Sequence, residues 1–142
     1  MISIREIAAE DAAEITELSH QLGYAITEQQ TLRNISALME SNYHGVFVAV
    51  HEQKVVGWVG VTCNISLESP PLCEIRGLVV HEQYRSQGIG KVLIEKAKQW
   101  SREKGVSKLR LRCNIKRTGA ILFYQKTGFS EAKQQKVFEM KL

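Results

Sequence analysis

The 142-residue sequence has few of the residues that mark secreted, metal-binding or membrane proteins. Its three cysteines, Cys63, Cys73 and Cys113, are odd in number and far apart, which excludes a disulfide framework and a zinc-type spacing. They are typical of small core residues in a reduced compartment, with a catalytic thiol as the alternative. No apolar run approaches the roughly 20 residues of a membrane-spanning helix, and the first residues carry no signal-peptide pattern. We therefore expect a cytoplasmic protein with no membrane partner.

Acidic residues are scarce in the second half of the chain. Residues 1–75 contain three Lys/Arg against ten Asp/Glu, a net charge of −7, whereas residues 76–142 contain sixteen against five, a net charge of +11. A basic half of this kind attracts a polyanionic cofactor or a nucleic acid. It lacks the interleaved aromatic and basic residues of single-strand binding platforms and has no helix-turn-helix signature, so we expect no nucleic-acid partner.

The most informative stretch is Cys73–Lys104. A short apolar run, Ile75–Val80, predicts a buried strand, and a polar turn, Arg85–Gly90, follows it. Apolar residues then recur at steps of three and four, which predicts a helix with one apolar face. They are Ile89, Val92, Leu93, Ala97 and Trp100. Gly105 is placed to end this helix with a left-handed residue.

A strand, a glycine-containing turn and a helix together form a geometry that suits an anion. The first N–H groups of a helix lack internal partners, and the helix dipole adds partial positive charge there. Gly88 and Gly90 leave room for a ligand near those groups, and Arg85 adds a forked donor suited to phosphate. The alternative is an ordinary tight turn. Position 93 is Leu, so the dinucleotide-binding fingerprint is absent, and no P-loop sequence is present.

A second motif lies at Ala120–Phe129, with the sequence Ala-Ile-Leu-Phe-Tyr-Gln-Lys-Thr-Gly-Phe. It resembles the A-x-x-F-Y-x-x-x-G-F segment of the GCN5-related N-acetyltransferase (GNAT) family, and Arg85-x-x-Gly88-x-Gly90 resembles that family's acetyl-coenzyme A loop. The motifs come in the family's order, and the resemblance covers nearly the whole chain. It implies an enzyme that moves an acetyl group from acetyl-coenzyme A (acetyl-CoA) to a primary amine by direct transfer in a ternary complex.

Periodicity along the chain predicts the element order β-α-α-β-β-β-α-β-α-β-β, in which Phe129 and Lys136–Leu142 supply the last two strands. The GNAT family has this order. We therefore expect an α/β fold in a single domain over residues 1–142, with a mixed, mostly antiparallel sheet flanked by helices. The resemblance also implies that the central fourth and fifth strands splay apart. Gly77 is where we expect the fourth strand to be distorted.

The resemblance also implies which residues bind acetyl-CoA. Backbone groups of Leu78, Val79 and Val80 pair with the pantetheine arm as if it were another strand. The turn and the first helical residues hold the pyrophosphate. They are Arg85, Ser86, Gln87, Gly88, Ile89, Gly90 and Lys91. Asn114, at the end of the predicted fifth strand, matches a polar position that often contacts the cofactor arm. We expect no metal.

Two residues are candidates for catalysis. Tyr124 matches the family's usual general acid, and a phenol with a pKa of about 10 is protonated at neutral pH. Its alternative role is packing beside Phe123 and Phe129. Glu74 matches a glutamate that often accepts the amine proton through water, and burial would raise its pKa toward a value that suits a base. The alternative for Glu74 is a salt bridge with Arg76 or with an arginine of the fifth strand.

Basic side chains line one face of the predicted fifth strand, 107–114, and apolar residues line the other. On an ideal fourth strand, Glu74, Arg76, Leu78 and Val80 likewise share one face. The basic face is either open to solvent or paired with acidic residues, or it lies near an anionic substrate group or a second subunit.

The sequence resembles, within the family, the branch of small-amine and aminoalkylphosphonate acetyltransferases. It departs from that branch at Gly119–Leu122, where the branch usually has Asp-Ala-His-Arg. We expect a small-molecule amine as the substrate. The family often dimerises, so the resemblance also implies a homodimer. The alternative function is a non-catalytic module that binds or senses acyl-CoA.

Overall fold

The computed structural model describes all 142 residues, which form two compact units, Met1–Arg112 and Cys113–Leu142. The first unit contains a five-stranded sheet in the order β1-β2-β3-β4-β5. Neighbouring strands are antiparallel except β4 and β5, which are parallel. The predicted α/β fold with a mixed, mostly antiparallel sheet is confirmed. The strands are β1 (Ile2–Glu6), β2 (His44–His51), β3 (Lys54–Asn64), β4 (Leu72–Val80) and β5 (Leu109–Leu111).

Local signals set the ends of the helices. Thr27 caps the second helix by accepting a hydrogen bond from the Gln30 N–H at 3.1 Å. Gly105 follows the third helix with a φ of 78°, so the predicted left-handed end is confirmed. None of the helices has the length and hydrophobicity that crossing a bilayer requires. The helices are α1 (Ala12–Gln21), α2 (Glu28–Met39), α3 (Ile89–Glu103) and α4 (Thr118–Lys126).

Helices cover both faces of the sheet in the first unit. On one face, α1 and α2 pack over β2, β3 and β4, and the core there includes Ile15, Leu18, Ile35, Val48, Val55 and Val79. On the other face, α3 approaches glycines of the strands. A Cβ on Gly57 would lie 3.3 Å from Leu93 Cδ1, and a Cβ on Gly45 would lie 2.7 Å from Trp100 Nε1. These glycines therefore let α3 pack close to β2 and β3.

Two details of the predicted elements in the first unit are wrong. Val92 is 44% exposed, whereas Leu93 and Ala97 are fully buried, so the apolar face of α3 is narrower than its sequence pattern. The fifth strand covers Leu109–Leu111 rather than 107–114, because it pairs with β4 over three residues only. A strand exists only where a neighbouring backbone accepts its hydrogen bonds, and alternation in the sequence does not supply that neighbour.

The second unit contains α4 and no strand. Gly128 follows α4 with a φ of 107°, which agrees with a glycine end to this helix. The predicted last strands, at Phe129 and at Lys136–Leu142, are not found. Their apolar alternation has no ladder partner within this unit, and alternation without a partner is not a strand. The single domain over residues 1–142 stays a prediction.

Candidate active site

The fourth strand contains one extra residue at its centre. Gly60 of β3 pairs with Gly77, whereas the next residue of β3, Val61, pairs with Ile75. Arg76 is therefore left without a partner on β3, which is a β-bulge. The predicted distortion of β4 at Gly77 is confirmed. A bulge of this kind bends the strand and changes the direction of the side chains beyond it.

The indole of Trp58 covers the bulge. A Cβ on Gly77 would lie 2.5 Å from Trp58 Cη2 and 2.7 Å from Cζ3, so only glycine fits without a shift. Trp58 Nε1 is buried and has no hydrogen-bond partner. We did not predict this contact from the sequence. The glycines at Gly60 and Gly77 were the available signal, but only strand pairing brings them beside one aromatic ring.

The bulge decides which residues of β4 share a face. Val79 pairs with Trp58, and Glu74 pairs with Thr62. Trp58 and Thr62 are separated by an even number of residues, so they lie on one face of β3, and Trp58 packs against the core under α1 and α2. Glu74 therefore lies on that face too. Leu78 and Val80, which we expected on the same face of β4 as Glu74, lie on the opposite face, because the extra residue reverses the alternation.

The second half of β4 has no partner on the side of β5 within the first unit. The two strands pair over Cys73–Ile75 only, which agrees with the predicted splay. The His81 N–H donates to the Val56 carbonyl at 2.8 Å, so the backbone of residue 81 faces β3. By alternation, the N–H and C=O groups of Leu78 and Val80 point to the opposite edge. The Leu78 groups and the Val80 N–H have no partner in the first unit and are available to an added strand-like ligand, and the Val80 carbonyl accepts one hydrogen bond, from Arg85.

The turn after β4 presents backbone N–H groups at the start of α3. Ser86 and Gly88 have φ values of 64° and 83°, a left-handed conformation that forms concave arrangements of N–H groups. The Val92 N–H donates to the Gly88 carbonyl at 3.1 Å, so the N–H groups of residues 89–91 have no intrahelical acceptor. A Cβ on Gly88 would meet no atom within 4 Å. The space beside this helix start is therefore open.

Arg85 lies beside the free edge of β4. Its Nε donates to the Val80 carbonyl at 3.4 Å, which leaves its terminal nitrogens to bind an anion. The Val79 carbonyl lies 2.8 Å from the position of a Cβ on Gly57, so it faces β3. The geometry therefore supports backbone contacts with a cofactor arm at Leu78 and Val80, and gives no such support for Val79.

Glu74 is buried, at 3% exposure, and contacts three arginines. Its Oε1 accepts a hydrogen bond from Arg76 Nη1 at 3.4 Å. Its Oε2 accepts from Arg110 Nε at 3.3 Å and from Arg112 Nε at 3.0 Å. Burial raises the pKa of Glu74, but the hydrogen bond from Arg112 and the charges of Arg112 and Arg110 outweigh it, so the pKa lies below its usual value. The raised pKa that we predicted is wrong, and the alternative of a salt bridge is confirmed.

The remaining two predicted site residues belong to the second unit. Tyr124 lies on α4, and its ring makes an edge contact with Phe129 at a centroid distance of 6.1 Å. Burial raises the pKa of the Tyr124 phenol. Asn114 lies after β5 rather than at its end, and its Oδ1 accepts a hydrogen bond from the Lys116 N–H at 2.9 Å. Its amide nitrogen remains available as a donor.

The buried cysteine, Cys73, does not have the properties of a reactive thiol. Cys73 lies directly opposite Cys63 on the neighbouring strand, and burial raises the pKa of the Cys73 thiol. A thiol with a raised pKa is protonated at neutral pH, so the alternative of a catalytic thiol has no support at Cys73. No group of three or more His, Cys, Asp or Glu side chains lies close enough together to hold a metal ion.

The sequence is similar to known acetyltransferases over most of its length. An uncharacterized N-acetyltransferase of Methanocaldococcus jannaschii is 34% identical over 96 residues, which are 66% of this chain and 42% of that protein. Another, from Chlorobaculum tepidum, is 32% identical over 106 residues, which are 75% of this chain and 64% of that protein. The chain therefore spans less than two thirds of the length of these curated relatives.

Solved structures share the fold. An aminoglycoside N-acetyltransferase in complex with CoA has a TM-score of 0.89 and 18% identity, covering 100% of this chain and 96% of that one. Glucosamine-6-phosphate N-acetyltransferase from Arabidopsis thaliana has a TM-score of 0.84 and 21% identity, covering 99% of both chains. An aminoglycoside acetyltransferase from an uncultured soil sample, in complex with trehalose, has a TM-score of 0.83 and 26% identity, covering 99% and 96%.

The narrower resemblance to the small-amine and aminoalkylphosphonate branch stays a prediction. The family as a whole is shown by the sequence, since the profile of the acetyltransferase (GNAT) family matches residues 6–129, which include both motifs and the whole candidate site. The chain belongs to the acetyltransferase (GNAT) family.

Proposed function

We propose that the protein is an acetyl-CoA-dependent N-acetyltransferase that acts on a small-molecule primary amine. The observation that carries the proposal is the free edge of β4 next to the left-handed turn at the start of α3. One end of that edge offers backbone hydrogen bonds, and the other leads to a cluster of free N–H groups. Family membership and the CoA-bound relative of the same fold support this assignment. The family match to residues 6–129 also supports one domain over the chain.

The cofactor follows the path of β4 in this proposal. Leu78 and Val80 bind the pantetheine amides through their outward backbone groups, as a neighbouring strand would. The pyrophosphate binds the N–H groups from Ser86 and Gln87 to Lys91, where the helix dipole and the Arg85 guanidinium favour negative charge. The pantetheine arm also receives a hydrogen bond from the Asn114 amide.

Acetyl transfer requires an uncharged amine, a stabilised oxyanion and a proton for the departing thiolate. We assign the proton donor to Tyr124. Its raised pKa keeps the phenol protonated at neutral pH, which is the state that a general acid needs. The amine attacks the thioester carbonyl directly in a ternary complex, the carbon–sulfur bond breaks, and the thiolate takes the phenol proton. The proton that the amine nitrogen loses passes through water and returns the Tyr124 phenolate to the phenol.

Glu74 is the second proposed catalytic residue, and its surroundings define what it could do. It is ionised, so it can accept a proton, but its lowered pKa makes it a weaker base than we expected. A Glu74→Gln variant distinguishes a base from a residue that only positions the arginines. If Glu74 is the base, Glu74→Gln should have a much lower kcat and should lose the acidic limb of the pH profile. If Glu74 only positions the arginines, the variant should have a higher KM for the acceptor.

A first test is isothermal titration with acetyl-CoA, with free CoA and ATP as comparisons. We expect micromolar binding of acetyl-CoA, similar binding of CoA and much weaker binding of ATP. Turnover is then measured as thiol release with a panel of small amines. Absence of acetyl-CoA binding would refute the proposed function, and binding without turnover of any amine would favour a module that only binds acyl-CoA.

Tyr124→Phe tests the assignment of the general acid. Loss of a general acid typically lowers the rate by about 10²- to 10⁴-fold, so we expect kcat to fall within that range while acetyl-CoA affinity is unchanged. Tyr43→Phe is the matched control, because Tyr43 is an exposed tyrosine just before β2. Equal turnover in both variants would remove Tyr124 from the mechanism.

Two further expectations remain: a homodimer, which the family resemblance implies, and a cytoplasmic location, which rests on cysteines typical of a reduced compartment. A homodimer is tested by light scattering on the purified protein at several concentrations. A cytoplasmic location is tested by fractionation of the source cells.

A further inference from the structure

The most unusual charge cluster of the first unit surrounds Glu74. Three guanidinium groups, from Arg76 on β4 and from Arg110 and Arg112 at β5, contact this single buried carboxylate. The lowered pKa of Glu74 keeps it ionised at neutral pH. One negative charge is thus shared by three positive charges, and the cluster keeps an excess of two positive charges. Within the first unit, no other carboxylate forms a salt bridge with these arginines.

Arg110 and Arg112 bind Glu74 in a way that leaves the two terminal nitrogens of each guanidinium available. Arg110 and Arg112 both use Nε, and both contact the same oxygen, Oε2. Arg76 uses one terminal nitrogen. The paired terminal nitrogens of Arg110 and Arg112 are therefore left for another acceptor, in the planar arrangement that binds carboxylate or phosphate with two hydrogen bonds.

Exposure of the side chains agrees with a role in binding a solute. Arg76 and Arg112 are 67% and 60% exposed, whereas the carboxylate that holds them is 3% exposed. Glu74 therefore acts as a fixed anchor at the base of the cluster. The exposed guanidinium of Arg112, which is held at Nε, loses less conformational freedom when it binds an anion than an unrestrained one does.

The cluster lies next to the proposed position of the thioester. A cofactor whose pyrophosphate binds at the start of α3 and whose arm follows β4 back through Val80 and Leu78 brings its thioester end toward Arg76. Arg76 is the extra residue of the bulge, and Leu78 is the first residue whose backbone faces the free edge of β4. Two residues of a strand span about 7 Å. A compact molecule could therefore place its amine at the thioester and a second group at the arginines.

We propose that Arg76, Arg110 and Arg112 bind an anionic group, a carboxylate, a phosphate or a phosphonate, on the acceptor amine. The inference rests on the proposed function and deepens it by naming the acceptor class. It separates this protein from the aminoglycoside acetyltransferases that share its fold, because aminoglycosides carry several ammonium groups that this cluster repels. Glu74 holds these arginines in place in this arrangement, and the Glu74→Gln variant tests whether it also acts as a base.

The test compares matched pairs of amines that differ only in the anionic group. Suitable pairs are O-phosphoethanolamine with ethanolamine, glucosamine 6-phosphate with glucosamine, and β-alanine with propylamine. Binding is measured by titration into the protein saturated with CoA, so that the readout does not depend on turnover. We expect the anionic member of at least one pair to bind at least about tenfold more tightly, and kanamycin to bind more weakly than any anionic amine. The first and third pairs distinguish phosphate from carboxylate.

Variants assign the preference to the cluster. Arg76→Gln and Arg112→Gln are expected to lower the preference for the anionic member about tenfold each, and Arg112→Lys to restore part of it, because lysine keeps the charge and loses the fork. Arg102→Gln on α3 is the matched control, since Arg102 is an exposed arginine on an element that covers the other face of the sheet. Thermal unfolding confirms that each variant is folded.

The outcomes separate this inference from the proposed function. Normal acetyl-CoA binding with equal affinity for both members of every pair, or with no measurable binding of any anionic amine, overturns the anion site alone. The same conclusion follows if the preference survives in both glutamine variants. Loss of acetyl-CoA binding in the wild-type protein overturns the proposed function.

Discussion

The close contact between Gly77 and Trp58 allows a sharp test of the bulge in β4. Replacing Gly77 by alanine adds a Cβ 2.5 Å from Trp58 Cη2 and 2.7 Å from Cζ3. Carbon atoms prefer a separation of about 3.5–4.0 Å, so the indole or the strand must move by about 1 Å. Overpacking of this kind costs about 1–3 kcal/mol, and the lower entropy of the unfolded chain returns about 0.4–1 kcal/mol. We expect Gly77→Ala to lower the free energy of unfolding by about 1–2 kcal/mol.

Gly60 provides a matched control. It pairs directly with Gly77 across the two strands, and a Cβ on Gly60 would lie 3.4 Å from Trp58 Cζ3. We therefore expect Gly60→Ala to change the free energy of unfolding by less than about 1 kcal/mol. The assay is urea denaturation followed by tryptophan fluorescence. Each kcal/mol corresponds to a shift of about 2–4 °C in Tm for a protein of this size.

A second substitution tests the cause of the loss. Trp58→Phe removes the ring atoms that meet the new methyl group and breaks no hydrogen bond, because Trp58 Nε1 has no partner. Alanine at position 77 should therefore cost little in the Trp58→Phe background, with a coupling free energy of about 1 kcal/mol or more. Equal stability of Gly77→Ala and Gly60→Ala, or a purely additive double variant, would refute the reasoning.

Two other predictions concern the turn before α3 and the charge pair near β1. Gly88→Ala places a non-glycine residue at a φ of 83°, so we expect a loss of about 1–2 kcal/mol in stability and weaker acetyl-CoA binding by titration. Gly119→Ala, whose Cβ also meets no atom within 4 Å, serves as its control, and wild-type behaviour of Gly88→Ala would contradict the turn geometry. The hydrogen bond from Arg5 holds the pKa of Asp11 below its usual value, so the pair stabilises the fold fully above about pH 4. That contribution is lost as the pH falls through the pKa of Asp11 in the folded protein. Asp11→Asn should therefore make the free energy of unfolding depend less on pH in this range. An acid transition that is unchanged in Asp11→Asn would show that the pair is not coupled to folding.

Much of the candidate site could be predicted from local sequence. The turn Arg85–Gly90 and the start of α3 were found because left-handed glycine and helical periodicity are properties of neighbouring residues. The distortion at Gly77 was also expected, since glycine tolerates a bulge. The lowered pKa of Glu74 was not predicted, although a salt bridge with an arginine of the fifth strand was the alternative that the sequence offered. That pKa depends on arginines of β5 that are distant in sequence, and burial alone pointed in the opposite direction.

The amino-acid sequence by itself determined the α/β class, the helix ends at glycine and the family motifs, because each depends on the conformation and spacing of residues close in the chain. Only the tertiary structure decided the length of β5, the contact between Trp58 and Gly77, and the three arginines that share one carboxylate. These features depend on which strands are neighbours in the sheet and on the register between them. Pairing between strands is set by packing over the whole sheet, and a shift of one residue reverses every side chain beyond it.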